Sequence, residues 1–158
     1  MPAYNFKEQF VPWVLDGSKI GTIRAFRRTP PKVGQMAFLY SGLRTKYVRK
    51  LAERPIVAVH TVRITRDLRG ELVIDVWPNW ACASEREFFA SAGVKPCIQF
   101  VGYQVDAIAF VDGFRHTELP KQIWGCGSLM RNFWGPEIFI GHWILWRKLI
   151  IDNVKSRQ

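Results

Sequence analysis

The sequence predicts a mixed α+β domain, a small closed sheet or β-barrel flanked by short helices. Two observations carry this. Five or more segments of strand length, alternating or continuously apolar, are separated by Gly, Pro and Asn turn signals and interleaved with short helical patterns. One of those strands lies near the end of the chain, so that pairing between the two ends closes the sheet.

In chain order, Phe6, Phe10, Trp13 and Val14 recur at i, i+4, i+7 and i+8, which predicts a short helix over about residues 5–16 stopped by Asp16-Gly17. Pro12 either kinks that helix or starts a second segment. The run Ser18 to Arg24 alternates as a strand leaving the turn, and Pro30-Pro31 ends the stretch. Met36 to Tyr40 is apolar, of strand length and bounded by Gly34 and Ser41-Gly42, which predicts a buried strand. Pro55 to Thr65 alternates and is β-branched; with Leu68-Arg69-Gly70 and Glu71 to Trp77 it predicts a hairpin closed by Pro78-Asn79. Ser84, followed by Glu85 and Glu87 and the pair Phe88-Phe89, predicts a capped helix ending at Ala92-Gly93. Residues 98–110 fit strand or helix, and a short helical turn falls between Thr117 and Trp124, interrupted by Pro120. Glu137 to Trp146 is apolar throughout and reads as a central strand. One domain of about residues 1–150 is expected, with a polar tail at 151–158.

The charge of +10 is concentrated: residues 1–70 hold 14 basic and 4 acidic side chains, whereas residues 71–158 hold nine of each. A polycationic half attracts phosphate backbones by counterion release, so RNA, a single-stranded nucleic acid or a nucleotide is the first partner to consider; a solvated basic face is the plain alternative. Cys82, Cys97 and Cys126 are odd in number and lack C-x-x-C spacing, which argues against a disulfide framework or zinc knuckle and fits a reducing cytoplasm. A signal-peptide pattern and a membrane-length apolar run are both missing from the sequence, so a cytoplasmic protein with no membrane partner is expected. His60, His116 and His142 show no metal-site spacing, and no serine-hydrolase, P-loop or dinucleotide fingerprint occurs, so no metal or cofactor is implied.

Three groups of residues are candidates for chemistry. In Gly17-x-Lys19-x-x-Thr22-x-Arg24 the three-residue spacing would put Lys19 and Thr22 on opposite faces of an ideal strand, so a shared site needs a turn or bulge starting at Gly17. Arg24, Arg27 and Arg28 would then anchor phosphate, unless the segment is a solvated edge strand. The stretch from Tyr40 through Arg44, Lys46 and Tyr47 to Arg49 interleaves rings with cations, a pattern that stacks single-stranded bases, although the tyrosines would equally serve as a roof for the core. In Asp112-Gly113-Phe114, a left-handed glycine and a core-seeking phenylalanine would point the carboxylate inward; an ordinary turn aspartate is the alternative.

These residues resemble the ASCH family, small domains related to the PUA RNA-binding fold, and in particular its longer phage-associated members. The matching pieces are Leu15-Asp16-Gly17, the run G-S-K-I-G-T-I-R, Pro31 to Gly34 before the strand Met36 to Tyr40, Y-S-G-L-R-T-K, Val111 to Phe114 and the closing strand toward Trp146. Residues 66–104 stand as an insertion relative to the shortest members. The resemblance implies a barrel of five or six strands whose cleft, floored by G-x-K-x-x-T-x-R, holds RNA or a nucleoside. Some short members resemble amidohydrolases that deacetylate the exocyclic amine of acetylated cytidine with a lysine, a threonine and an acidic residue. Lys19, Thr22 and Asp112 fall on those positions, with aspartate where those enzymes carry glutamate, a carboxylate shorter by about 1.5 Å. The expected function is therefore nucleic-acid or modified-nucleoside binding. A hydrolase, amidohydrolase or ribonuclease, using Lys19, Thr22 and Asp112 is the alternative, and a phage-type protein-interaction module using the seven tryptophans and the insertion is a further one.

Overall fold

The structure is a computed structural model that describes residues 1–78, 80–81, 84–90, 98–115, 118, 122–134 and 137–147. Strand β1 (Ala3–Phe6) leads through a 3-10 turn, Glu8–Phe10, into helix α1 (Val11–Leu15). There follow β2 (Gly21–Ala25), β3 (Met36–Ser41), β4 (Arg49–Pro55), β5 (Ala58–Arg66) and β6 (Leu72–Trp77). Helix α2 (Glu85–Ala90), β7 (Ile98–Phe100), α3 (Tyr103–Val111), α4 (Cys126–Trp134) and β8 (Phe139–Leu145) complete the order.

The strands form two hydrogen-bonded sheets. One is three-stranded, β1-β3-β4, with β1 parallel to β3; the other is five-stranded, β2-β8-β5-β6-β7, antiparallel at every pairing. The α+β class therefore holds, and among the described residues no backbone ladder joins the two sheets into a closed barrel. Strand β8 occupies the middle of its sheet because its side chains are buried on both faces, which is why Phe139–Leu145 is apolar without alternation. Residues 66–104 supply β6, α2 and β7, which carry the sheet outward beyond β5.

Several sequence expectations shift. The helix expected from residue 5 begins only at Val11, with Pro12 in its first turn; Ala3–Phe6 pairs instead with β3, burying Tyr4 and Phe6 and exposing Asn5. The alternation of period two wins there because β3 offers a parallel edge, and the i, i+4 match of Phe6 with Phe10 is incidental. Strand β4, which the basic composition of 49–55 conceals, is an edge strand whose exposed charges and terminal Pro55 suit an unpaired side. The hairpin is present with its first strand starting at Ala58, and Ser84 caps α2 by accepting from Glu87 N at 3.1 Å. The ambiguous 98–110 stretch divides into β7 and α3. Cys82, Cys97, His116, half of the helical turn expected between 117 and 124, and the tail lie outside the described residues.

The core fills the space among the sheets and helices and includes Tyr4, Leu39, Val62, Ile74, Ile108, Met130 and Trp143. Among the described residues, no helix is long and apolar enough to cross a membrane.

Candidate functional site

Helix α3 ends in a tight capping turn that places Asp112. Gly113 takes φ +93°, its N–H donates to Phe110 O at 3.1 Å, and Phe114 N donates to Ala109 O at 2.8 Å, with the Phe114 ring buried. This is the double hydrogen bond of a Schellman motif, and it turns the Asp112 side chain inward rather than into solvent. The Asp112 residue is 4% exposed.

The segment between α1 and β2 docks against this helix end. Gly17, at φ +77°, reverses the chain after α1, and residues 18–20 run outside regular strand before β2 starts at Gly21. Lys19 is held at both backbone groups: its N–H donates to Trp13 O at 2.8 Å, and its carbonyl accepts from Trp146 Nε1 at 2.8 Å. Its ammonium donates to the Asp112 carbonyl, while Ile20 N donates to Val111 O at 3.2 Å. Arg115 completes the cap, donating through Nε to Phe110 O and through a terminal nitrogen to Ser18 O, both at 3.2 Å. The carbonyls at the helix end are thereby satisfied by the Lys19 and Arg115 side chains and by the Ile20 amide, with basic groups at the negative pole of the helix.

Lys19 is 2% exposed, and its Nζ lies 3.1 Å from Asp112 Oδ1, 5.0 Å from the Phe10 ring centre and 5.6 Å from that of Phe6. Because the ammonium aims its donor at the carbonyl, Oδ1 is buried with no hydrogen-bond partner among the described residues. Burial pushes the Lys19 ammonium below its ordinary value of 10.5; Asp112 opposes this, and the Arg24 and Arg115 cations reinforce it. Burial likewise pushes the Asp112 carboxyl above its ordinary 3.8, against the pull of Lys19 and Arg24. Desolvation outweighs mutual attraction for both, so the pair is driven toward its neutral forms.

Lys19, Thr22, Arg24, Arg27 and Asp112 line one cavity of about 570 Å³ where β1 and β2 face each other. Its aromatic walls are Phe6, Phe10, Phe26, Phe114, Phe133 and Trp134, with Phe139 tilted against Trp134 at 4.3 Å. Among the described residues, the ionisable lining comprises four basic side chains, the fourth being Lys7, against the one carboxyl of Asp112. Thr22 Oγ1 accepts from Arg24 Nε at 3.1 Å, and among the described residues no hydrogen bond joins it to Lys19.

No protein-family model, curated protein or solved structure matches the chain.

The remaining sequence candidates lie outside the cavity. Arg28 is exposed, and Arg44, Lys46, Tyr47 and Arg49 project from the exposed turn between β3 and β4 or from the first residue of β4. Tyr40 is half-buried on the outward face of β3. Arg24 and Arg27 do more than the free phosphate anchors expected of them: one terminal nitrogen of Arg24 donates to Asn5 O at 2.6 Å and one of Arg27 to Ala3 O at 2.7 Å, so guanidinium groups bridge to the open edge of β1. Their other donors, beyond the Arg24 Nε bond to Thr22, have no partner among the described residues. His60 and His142 are buried in strands, His60 edge-on to Trp143 and His142 edge-on to Phe26, and no metal-binding group of three occurs among the described residues.

Sequence reasoning missed Asn5 and Lys7 at the mouth and Phe133 and Trp134 in the wall. The two aromatics end α4, whose first turn is capped from another helix: Gly127 N donates to Asp106 Oδ1 of α3 at 2.7 Å. A cap supplied across 21 residues leaves no local signal to read.

Proposed function

We propose that the chain binds nucleic acid or a modified nucleoside, with the cavity between β1 and β2 taking one nucleotide unit. The observation that carries this is the lining: a concavity of about 570 Å³ with aromatic walls and, among the described residues, four basic side chains against one buried carboxyl. A flat ring stacks on such walls, and a phosphate meets the open donors of Arg24, Arg27 and Lys7. The reading includes the ASCH-like, PUA-like resemblance. The two sheets then correspond to a barrel without ladders at its seams, and the arginine bridges from Arg24 and Arg27 to β1, which span one seam, support it.

Calorimetric titration with nucleoside monophosphates, beside the bare nucleosides, tests the reading. Binding that weakens with salt and is lost in Ala25→Trp is expected, because Ala25 lines the mouth from an exposed strand end. If no nucleotide binds, or if the tryptophan variant binds as well as wild type, the reading falls.

A second reading, an amidohydrolase or ribonuclease, is favoured by the depressed basicity of Lys19 beside Thr22 in the same cavity. For an acetylated base amine, neutral Lys19 would take the Thr22 proton as Oγ1 attacks the acetyl carbon, the proton passing to the departing amine. Water would then hydrolyse the acyl-threonine. The present bond from Arg24 Nε to Oγ1 must rearrange for this. Incubation with acetylated cytidine and with labelled RNA decides it: product from wild type and none from Lys19→Ala supports the hydrolase, and equal product from both removes it.

A further inference from the structure

The cavity and the basic turn are separate features joined at one residue. Asn5 lines the cavity, and its carbonyl accepts from Arg24. Its side-chain Oδ1 accepts from Leu43 N at 2.9 Å, at the start of the turn formed by residues 42–48. Fixing Oδ1 in this way orients the amide, so the Nδ2 donors of this exposed residue are left without a partner among the described residues. In register, Asn5 pairs with Tyr40, and both stand on the outward face of the three-stranded sheet. Adjacent strands lie about 4.8 Å apart, so the path from cavity mouth to turn is one strand wide.

The turn is built to hold a shape. Thr45 N donates to Gly42 O at 3.0 Å, Thr45 Oγ1 donates to the same carbonyl at 2.7 Å, and Tyr47 N donates to Thr45 Oγ1 at 3.1 Å. Arg44 sits at φ +72°, the one non-glycine residue at positive φ among those described, a strained geometry that sets the direction of its Cα–Cβ bond. Tyr47 is 75% exposed, with Lys46 Nζ 5.0 Å from its ring centre. An exposed ring set among Arg44, Lys46 and Arg49 on a braced turn is a stacking platform with phosphate contacts beside it, and ordering it beforehand lowers the entropy lost on binding.

We infer that the occupant is a single-stranded nucleic acid chain rather than a free nucleoside, one nucleotide entering the cavity while its neighbours run past Asn5 and Tyr40 onto the turn that carries Arg44, Lys46, Tyr47 and Arg49. This rests on the nucleotide-binding reading of the cavity and adds the length and strandedness of the ligand. Asn5 is the positioning residue at the junction, its Nδ2 donating to the sugar or phosphate that links the two parts.

Fluorescence anisotropy with labelled ribo- and deoxyribo-oligonucleotides of one, three and five nucleotides, and with a hairpin duplex, tests the inference at low and moderate salt. Affinity is expected to rise at least about tenfold from one to five nucleotides and to be weaker for the duplex, whose bases already stack on each other. In Arg44→Ala/Lys46→Ala/Arg49→Ala the mononucleotide affinity stays unchanged and the gain with length disappears. Neutralising three phosphate contacts makes the log affinity against log salt slope shallower by about 2, at roughly 0.7 per contact on a single strand. Tyr47→Ala costs the longer probes at least about fivefold and leaves the mononucleotide alone. Equal affinity along the series, or duplex binding as tight as single-strand binding, overturns the inference while the cavity reading stands. No binding of any probe to wild type removes both.

Discussion

Two clusters of positive charge lie close together in this molecule and behave as opposites. In the cavity, Lys19 is 2% exposed and pressed between a helix end, two phenylalanine rings and a carboxyl group that burial also pushes toward neutrality. On the turn, Arg44, Lys46 and Arg49 are exposed and make no salt bridge with any described residue. The same formal charge is costly to hold at the first site and nearly free at the second, because desolvation acts on one and solvent screening on the other. Buried charge therefore sets chemistry and stability here, whereas exposed charge sets attraction at a distance.

The largest expected effect tests the buried half. Lys19→Met leaves the Asp112 carboxyl buried without its basic partner and is expected to cost about 3 kcal/mol in chemical denaturation, whereas Lys19→Met/Asp112→Leu recovers most of the loss. A single variant as stable as wild type breaks the contrast. The pH dependence has a definite sign. Lys19 titrates below 10.5 in the folded protein, so as pH rises toward 10.5 the native state releases its proton before the unfolded chain does, and stability from this group increases. That contribution is lost as pH falls through the folded value. Asp112 gives the reverse: its contribution is full below 3.8 and fades as pH rises through its raised folded value. Urea midpoints should thus show the advantage of wild type over Lys19→Met growing between about pH 8 and pH 10; a constant difference contradicts the depressed lysine.

Gly113→Ala comes next. It forces a side chain into φ +93° and sets a methyl 3.1 Å from Lys19 Cδ and 3.2 Å from Phe10 Cδ1, so a loss of about 1 to 2 kcal/mol is expected, together with weaker nucleotide binding. The smallest effects belong to the turn. Arg44→Gly relieves a left-handed arginine and should gain about 1 kcal/mol of stability while weakening oligonucleotide binding. Neutralising Arg44, Lys46 and Arg49 together should leave stability within about 0.5 kcal/mol of wild type. A large loss from that triple change would make the turn a structural element and erase the contrast.

Much of the fold was legible because it rests on local pattern. The apolar run of β8, the β-branched alternation of β5 with its turn at Asp67 to Glu71, and the Ser84 cap of α2 each lie within a few residues of the signal that announces them. Strand β4 escaped notice because an edge strand keeps its charge, and the helix expected from about residue 5 takes in the end of β1 because Phe6 fits both a period of two with Tyr4 and the i, i+4 match with Phe10. Helix α4 takes its cap from Asp106, so its start is invisible without α3.

For the site, the residue types Lys19, Thr22, Arg24 and Asp112 stand in the chain, as does Gly113, which directs Asp112 inward at the end of α3. Their convergence across 93 residues, the aromatic wall from α4, and the arginine bridges to β1 were decided by tertiary packing alone. The physical reason is that spacing along a chain sets which face a side chain takes, whereas burial, and with it the basicity of Lys19, depends on what the rest of the molecule brings to that face.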